Sequence, residues 1–183
     1  MKVYITETQE YKNLGTLIEE IDNDIIEEED FVEEDFEFNE TLDAYCCTSE
    51  IFEFWHNFIK RLRKLQFNAG VEKFDDYYHH LKMRSWQIIE ENDDASFTRD
   101  NYRQKLDAEL HELEIDNLIA ALEECYESIN FEDREETISQ VMTYAAESGF
   151  SITKTEANEV IEIVIKNLKE DYFVQLIRDK NDS

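Results

Sequence analysis

The chain has 183 residues, of which 46 are acidic and 18 basic, for a formal charge of −28, with no proline and three glycines. Charge of that sign and density repels nucleic acid and anionic membranes and argues against both as direct ligands. The 12 Phe, 9 Tyr and 2 Trp argue equally against an acidic disordered chain, which is poor in aromatics.

Few breakers and few turn residues disfavour a β-sandwich. The expected fold is mainly α, a helical bundle-like protein with a small N-terminal β element and two lobes. Lys2 to Thr8 is the β-rich run, with Val3 and Ile5 on one face and Tyr4 on the other. A helical stripe follows at Leu17, Ile18, Ile21, Ile25 and Ile26, and Thr16-x-x-Glu19 has capping-box form. Residues 27–40 are then nine-fourteenths acidic, with Phe31, Val32, Phe36 and Phe38 between the carboxylates. Alternation at Phe36 and Phe38 suggests a short strand beside residues 2–7.

From about Ser49 to Ala69, Ile51, Phe52, Trp55, Ile59, Leu62 and Leu65 hold one helix face, and Gly70 sits where a glycine ends a helix. Phe74, Tyr77, Tyr78 and Leu81 predict the next helix, up to Ile89. Residues 90–96 are the expected lobe boundary, giving an acidic lobe with basic central helices over 1–90 and a helical lobe over 96–178. In the second lobe, Tyr102 to Leu113, Leu118 to Ile129 and Ile138 to Ala145 predict three helices. A final helix starts at the capping box Thr153-x-x-Glu156 and runs to Ile177, before a frayed tail at 179–183. A single domain is the alternative.

The charge is blocked along the chain. Residues 1–50 carry 17 acids and two Lys, residues 51–89 four acids and seven Lys or Arg, and residues 90–183 25 acids and nine bases. Residues 19–40 hold 13 acids in 22 positions. As a helix at about 1.5 Å per residue they would set one charge per about 2.5 Å, against about 1.7 Å of axis per charge in duplex DNA. A groove that holds phosphates with Lys and Arg could take such a surface instead. A plain solvated face is the competing explanation, but it does not account for Phe interleaved with the acids. The partner-binding residues expected on this ground are Glu27, Glu28, Glu29, Asp30, Phe31, Glu33, Glu34, Asp35, Glu37 and Glu40, with Phe31, Phe36 or Phe38 as apolar anchors.

The basic segment, Lys60, Arg61, Arg63, Lys64, Lys73, Lys82 and Arg84, is expected to neutralise the acidic arms internally. The sharper alternative is a nucleic-acid site with Trp55, Tyr77 and Tyr78 stacking on bases. Glu53-x-x-His56 and Asp76-x-x-His79 have the one-turn spacing of a di-metal bundle, but in so acidic a chain that spacing arises by chance. No metal or cofactor is expected, and the chain lacks phosphate loops, nucleophile elbows and Cys-x-x-Cys pairs. It is expected not to be an enzyme. Cys46, Cys47 and Cys125 predict reduced thiols. The opening residues carry no long apolar stretch, which predicts a cytosolic protein.

An acidic, proline-free chain with aromatics among its carboxylates resembles the phage- and mobile-element-encoded inhibitors of bacterial defence nucleases, namely anti-CRISPR proteins and DNA-mimicking antirestriction proteins. Met1-Lys2-Val3-Tyr4-Ile5 is similar to the opening strand of antirestriction proteins of the ArdA kind. The resemblance implies a stoichiometric inhibitor in the cytoplasm of a bacterial host cell. Its partner would be a basic nucleic-acid-binding protein, a bacterial restriction or Cas9-type nuclease with or without its guide RNA. The alternatives are an immunity or chaperone-like protein that neutralises a basic toxin, and a di-metal helical-bundle enzyme.

Overall fold

The computed structural model describes residues 2–14, 35–90, 98–126, 129 and 133–181, with side chains of the last helix as far as Lys169. The expected helical stripe at 17–26 and most of the acidic block lie outside these residues. The chain divides into two compact units, Met1–Leu110 and His111–Ser183, and is mainly helical with a small N-terminal sheet.

In the first unit, strand β1 (Lys2–Ile5) pairs antiparallel with β2 (Glu10–Asn13). Strand β3 (Glu37–Asn39) is antiparallel to β4 (Ala44–Cys47), and β4 is parallel to β1, giving the order β2-β1-β4-β3. Val3 and Ile5 are fully buried, while Tyr4 on the other face meets Tyr11 edge-on with ring centroids 5.1 Å apart. The alternation of apolar and half-exposed positions therefore fixes which face of β1 enters the core. The strand expected at Phe38 is present, but its neighbour is β4 and not β1. Residues 44–47 connect directly into a helix and take the central place between them.

Helix α1 (Ser49–Ala69) begins at Thr48, whose side chain accepts the Ile51 N–H at 3.3 Å and satisfies one orphan donor of the first turn. Glu7, in the β1–β2 turn, accepts the Ser49 N–H at 2.9 Å and ties the sheet to the same helix end. One face of α1 buries Phe52, Trp55, Phe58, Ile59, Leu62 and Leu65, at roughly 1.5–3 kcal/mol for each fully buried large apolar side chain. Gly70 ends the helix at φ 78°, where a Cβ would meet nothing within 4 Å. Its requirement is therefore the backbone angle and not space. Helix α2 (Val71–Glu90) packs on α1 and buries Phe74, Tyr77, Tyr78, Leu81, Ser85 and Ile88.

Helix α3 (Arg99–Glu124) opens with reciprocal hydrogen bonds between Thr98 and Asn101. Its first half belongs to the first unit, where the Tyr102 hydroxyl lies 2.6 Å from the Ser85 hydroxyl of α2. Two helices were expected here. Residues 114–117, Glu-Ile-Asp-Asn, contain neither Gly nor Pro, so nothing interrupts the backbone ladder and one helix runs through.

The second unit holds the rest of α3, α4 (Arg134–Glu147) and α5 (Lys154–Asn181). Asp133 caps α4 by accepting the Glu136 N–H at 3.2 Å. Gly149, at φ 95°, turns the chain after α4. The capping box of α5 forms as its spacing requires: Thr153 accepts the Glu156 N–H at 3.2 Å and Glu156 accepts the Thr153 N–H at 2.7 Å. The core contains Leu118, Leu122, Ile138, Val141, Ile152, Val160, Ile161 and Val164, joined by Phe150. From the first turn of α4, Arg134 reaches Asn158 and Glu162 of α5, at 2.9 and 2.6 Å.

Candidate partner-binding surface

Of the ten expected contact residues, Glu27, Glu28, Glu29, Asp30, Phe31, Glu33 and Glu34 lie outside the described residues. Asp35, Glu37 and Glu40 are described, and they have opposite fates. The Asp35 side chain is 2% exposed. Trp55 donates its indole N–H to one carboxylate oxygen at 2.7 Å, and Arg103 donates to the other at 2.6 Å. Arg99 approaches that second oxygen at 3.4 Å and lies over the Tyr102 ring, 4.6 Å from its centroid. The second guanidinium arm of Arg103 binds Asp100. A buried carboxylate persists when paired and hydrogen-bonded in this way. Asp35 is thus an internal anchor, and Phe36 beside it is buried as well.

Two residues further on, the chain faces solvent. Every residue of β3 is exposed, and Phe38 is 53% exposed with its ring edge-on to Tyr45 at 5.3 Å. Glu37 and Glu40 are exposed on either side of it. The Asn39 side chain then accepts the backbone N–H groups of Thr41 and Leu42, at 3.0 and 3.1 Å, and fixes the turn that follows. Of the three candidate aromatic anchors, Phe36 is in the core, Phe38 is accessible and Phe31 lies outside the described residues.

The basic segment divides between pairing and stacking. Arg61 of α1 meets Asp107 at 2.5 Å, and Arg84 of α2 meets Glu109 at 2.9 Å. Lys64, Lys73 and Lys82 each lie over a ring one turn along their own helix, at Phe67, Tyr77 and Trp86, 5.5–5.6 Å from the centroids. Trp55, Tyr77 and Tyr78, the candidates for stacking on bases, are buried and offer no open ring face. The exposed aromatics of this segment are Phe67 and Trp86. The helical stripes read from the sequence leave both of them out. Their place on the polar side of each stripe was the usable signal.

Three of the four histidines make local contacts, and His79 is exposed. His56 stacks on Phe52 at 5.8 Å, and His80 lies 3.4 Å from Glu109. His111 contacts Glu156 at 2.9 Å and Glu114 at 3.7 Å. Among the described residues no group of three His, Cys, Asp or Glu side chains converges to hold a metal. All three cysteines are free thiols. Burial, reinforced by the nearby Glu7 carboxylate, pushes the Cys47 thiol up to about 11, so it stays protonated and unreactive near neutral pH. Among the described residues no helix is long and apolar enough to cross a membrane.

No protein-family model matches the chain, and neither a curated protein nor a solved structure matches it.

Proposed function

We propose that this chain is a stoichiometric inhibitor, without catalysis of its own, that binds a basic nucleic-acid-handling protein through an acidic surface. The partner class we favour is a bacterial restriction or Cas9-type nuclease, whose Lys and Arg normally meet phosphates and bases. The contact runs through Glu27 to Glu34 and on to Glu37 and Glu40, with Asp35 holding the block to the core. The chain's own nucleic-acid binding is opposed by its −28 charge.

The observation that carries this reading is the unequal use of the two signs of charge. Cations are drawn into the fold: Arg103 is buried against Asp35, and Arg61 and Arg84 pair with acids of α3. Among the described residues most Lys and Arg are at least partly covered, whereas most carboxylates are exposed, Asp35 and Glu114 being the buried ones. A protein that needed charge only for its own folding would match the two. The excess faces outward, where it raises the rate of encounter with a basic partner, and apolar contact prolongs the complex.

The test is association with the nucleases of a bacterial host at several salt concentrations. Binding should weaken steeply with salt, and duplex DNA or guide RNA should compete. Reversing Asp30, Glu33 and Glu34 to Lys should cost the complex several kcal/mol through like-charge contact. The same reversal at Glu112, Asp116 and Glu124, exposed on α3, should cost far less. Affinity indifferent to salt and to nucleic acid removes the reading.

A further inference from the structure

The sheet ends on one side at β3, whose only strand neighbour among the described residues is β4. In an antiparallel pair, alternate backbone N–H and C=O groups of an outer strand point away from its neighbour. We propose that this outer edge of β3 is a docking edge, to which an extended, Lys- or Arg-bearing segment of the partner adds as a fifth strand. The proposal rests on the reading of the acidic face as the one that meets a basic partner, and it names the mode of contact.

Three observations support it. The first is preorganisation. On one side β3 is held by Asp35 and Phe36, the former clamped by Trp55 and Arg103 and the latter buried. On the other side the Asn39 side chain locks the turn through the Thr41 and Leu42 N–H groups. A three-residue strand fixed at both ends loses little entropy when a further strand pairs with it. The second is apolar contact. Phe38, at 53% exposed, rests edge-on against Tyr45 and offers the rest of its surface to an incoming side chain. Main-chain pairing gives affinity in strand addition, and such side-chain contacts give specificity.

The third is charge. Glu37 and Glu40 flank Phe38, both exposed. Acids on an edge strand keep it from pairing with a second copy of itself, because like charges directly opposite repel. The same charges favour a cationic strand across the gap. An edge meant only to be protected gains nothing from an exposed phenylalanine at its centre, whereas a docking edge does.

The probe is a capped octapeptide of alternating Lys and Val, added to the full-length chain at low salt and followed by backbone amide chemical shifts. The shifts should centre on Glu37–Asn39 and its neighbour β4. Phe38→Ala, and separately Glu37→Lys with Glu40→Lys, should each weaken binding about tenfold or more. A peptide of identical charge, N-methylated along one edge so that it cannot donate to β3, should weaken by a similar factor. Equal binding of the N-methylated peptide, or shifts centred away from the sheet, overturns the proposal. With a captured nuclease in hand, capture undiminished by Phe38→Ala overturns edge docking and leaves the inhibitor reading standing. Docking of the peptide at β3 together with a nuclease association indifferent to salt and DNA supports the edge and overturns the inhibitor reading.

Discussion

The two units solve the problem of an over-acidic chain differently. The first holds a buried carboxylate between two arginines and an indole: Asp35 is surrounded by Trp55, Arg103 and Arg99, in a unit whose buried residues include Phe52, Phe58, Phe74, Tyr78 and Tyr102. The second has an aliphatic core in which, among the described residues, Phe150 is the only aromatic in the cluster. Apart from Glu114, buried 3.7 Å from His111, the charges described in this unit work at the helix ends, at Asp133, Thr153–Glu156 and Arg134. Burying a charge demands a particular geometry, because an unmatched ion in the interior is costly. An aliphatic core tolerates small displacements. The Asp35 cluster thus gives the first unit a geometrically specific point next to the acidic block, where a binding surface needs a fixed point of attachment.

The sharpest way to break that contrast is Asp35→Ala. It leaves Arg103 buried without its inner partner, and we expect the first unit to lose about 3–5 kcal/mol. The measurement is urea unfolding followed by hydrogen exchange at amides of each unit separately. A loss below about 1 kcal/mol would mean that the pair behaves as an exposed ion pair, and the contrast between the units would fail.

The counterpart in the second unit is Ile161→Ala. Ile161 is 1% exposed within the aliphatic cluster. The expected loss is about 2–5 kcal/mol, from lost apolar transfer and the cavity left behind. Because no charge is involved, the loss should be nearly the same at about pH 5 and about pH 7. A strongly pH-dependent loss would show that ionic contacts, and not packing, hold this unit together.

Most of this architecture is legible in the sequence where periodicity and punctuation agree. The stripe Phe52, Trp55, Ile59, Leu62 and Leu65 together with Gly70 defines α1, and Thr153-x-x-Glu156 opens α5. Legibility fails where pairing creates the element. The strand Glu10–Asn13 has three polar residues in four, and Ala44–Cys47 has no alternation, yet both bind β1. Their extended form comes from the open edges of β1, which no local pattern encodes. The merging of two expected helices into α3 is the opposite failure, a break read into a polar stretch that contains no breaker. In the candidate site, Glu37, Phe38 and Glu40 are exposed while Phe36, which the same interleaving marked, is buried. The burial of Asp35 was not legible. Nothing in a run of nine acids singles out the one that meets an arginine 68 positions away.

A smaller effect separates capping from core. Thr153→Ala removes the side-chain acceptor of the Glu156 N–H and the hydroxyl that itself donates to Glu156 at 2.7 Å. The expected loss is about 1 kcal/mol, confined to the second unit and seen as faster exchange at the first amides of α5. Substitution by Ser should restore most of it, since the hydroxyl returns. If Ser is as poor as Ala, the methyl group and not the hydrogen bond was responsible.

The smallest effect is a pH dependence carried by Glu156. The Thr153 backbone N–H, then the Thr153 hydroxyl, then His111 hold its carboxyl down from the usual 4.5 to about 2. A carboxyl with a depressed folded-state value stabilises the fold fully above the unfolded value. That contribution fades as pH falls from about 4.5 towards about 2. Its size is limited because the side chain is 31% exposed and water screens the contacts. Glu156→Gln keeps a carbonyl oxygen to accept the Thr153 N–H but cannot titrate. The variant should therefore be slightly less stable than the parent near neutral pH, and the two should converge as the parent's carboxyl takes up its proton. Melting of both proteins at several pH values between about 5 and about 2.5 gives the difference curve, in which the other carboxylates cancel. A difference that stays constant across that window would show that the capping box acts through geometry alone, without help from the charge of Glu156.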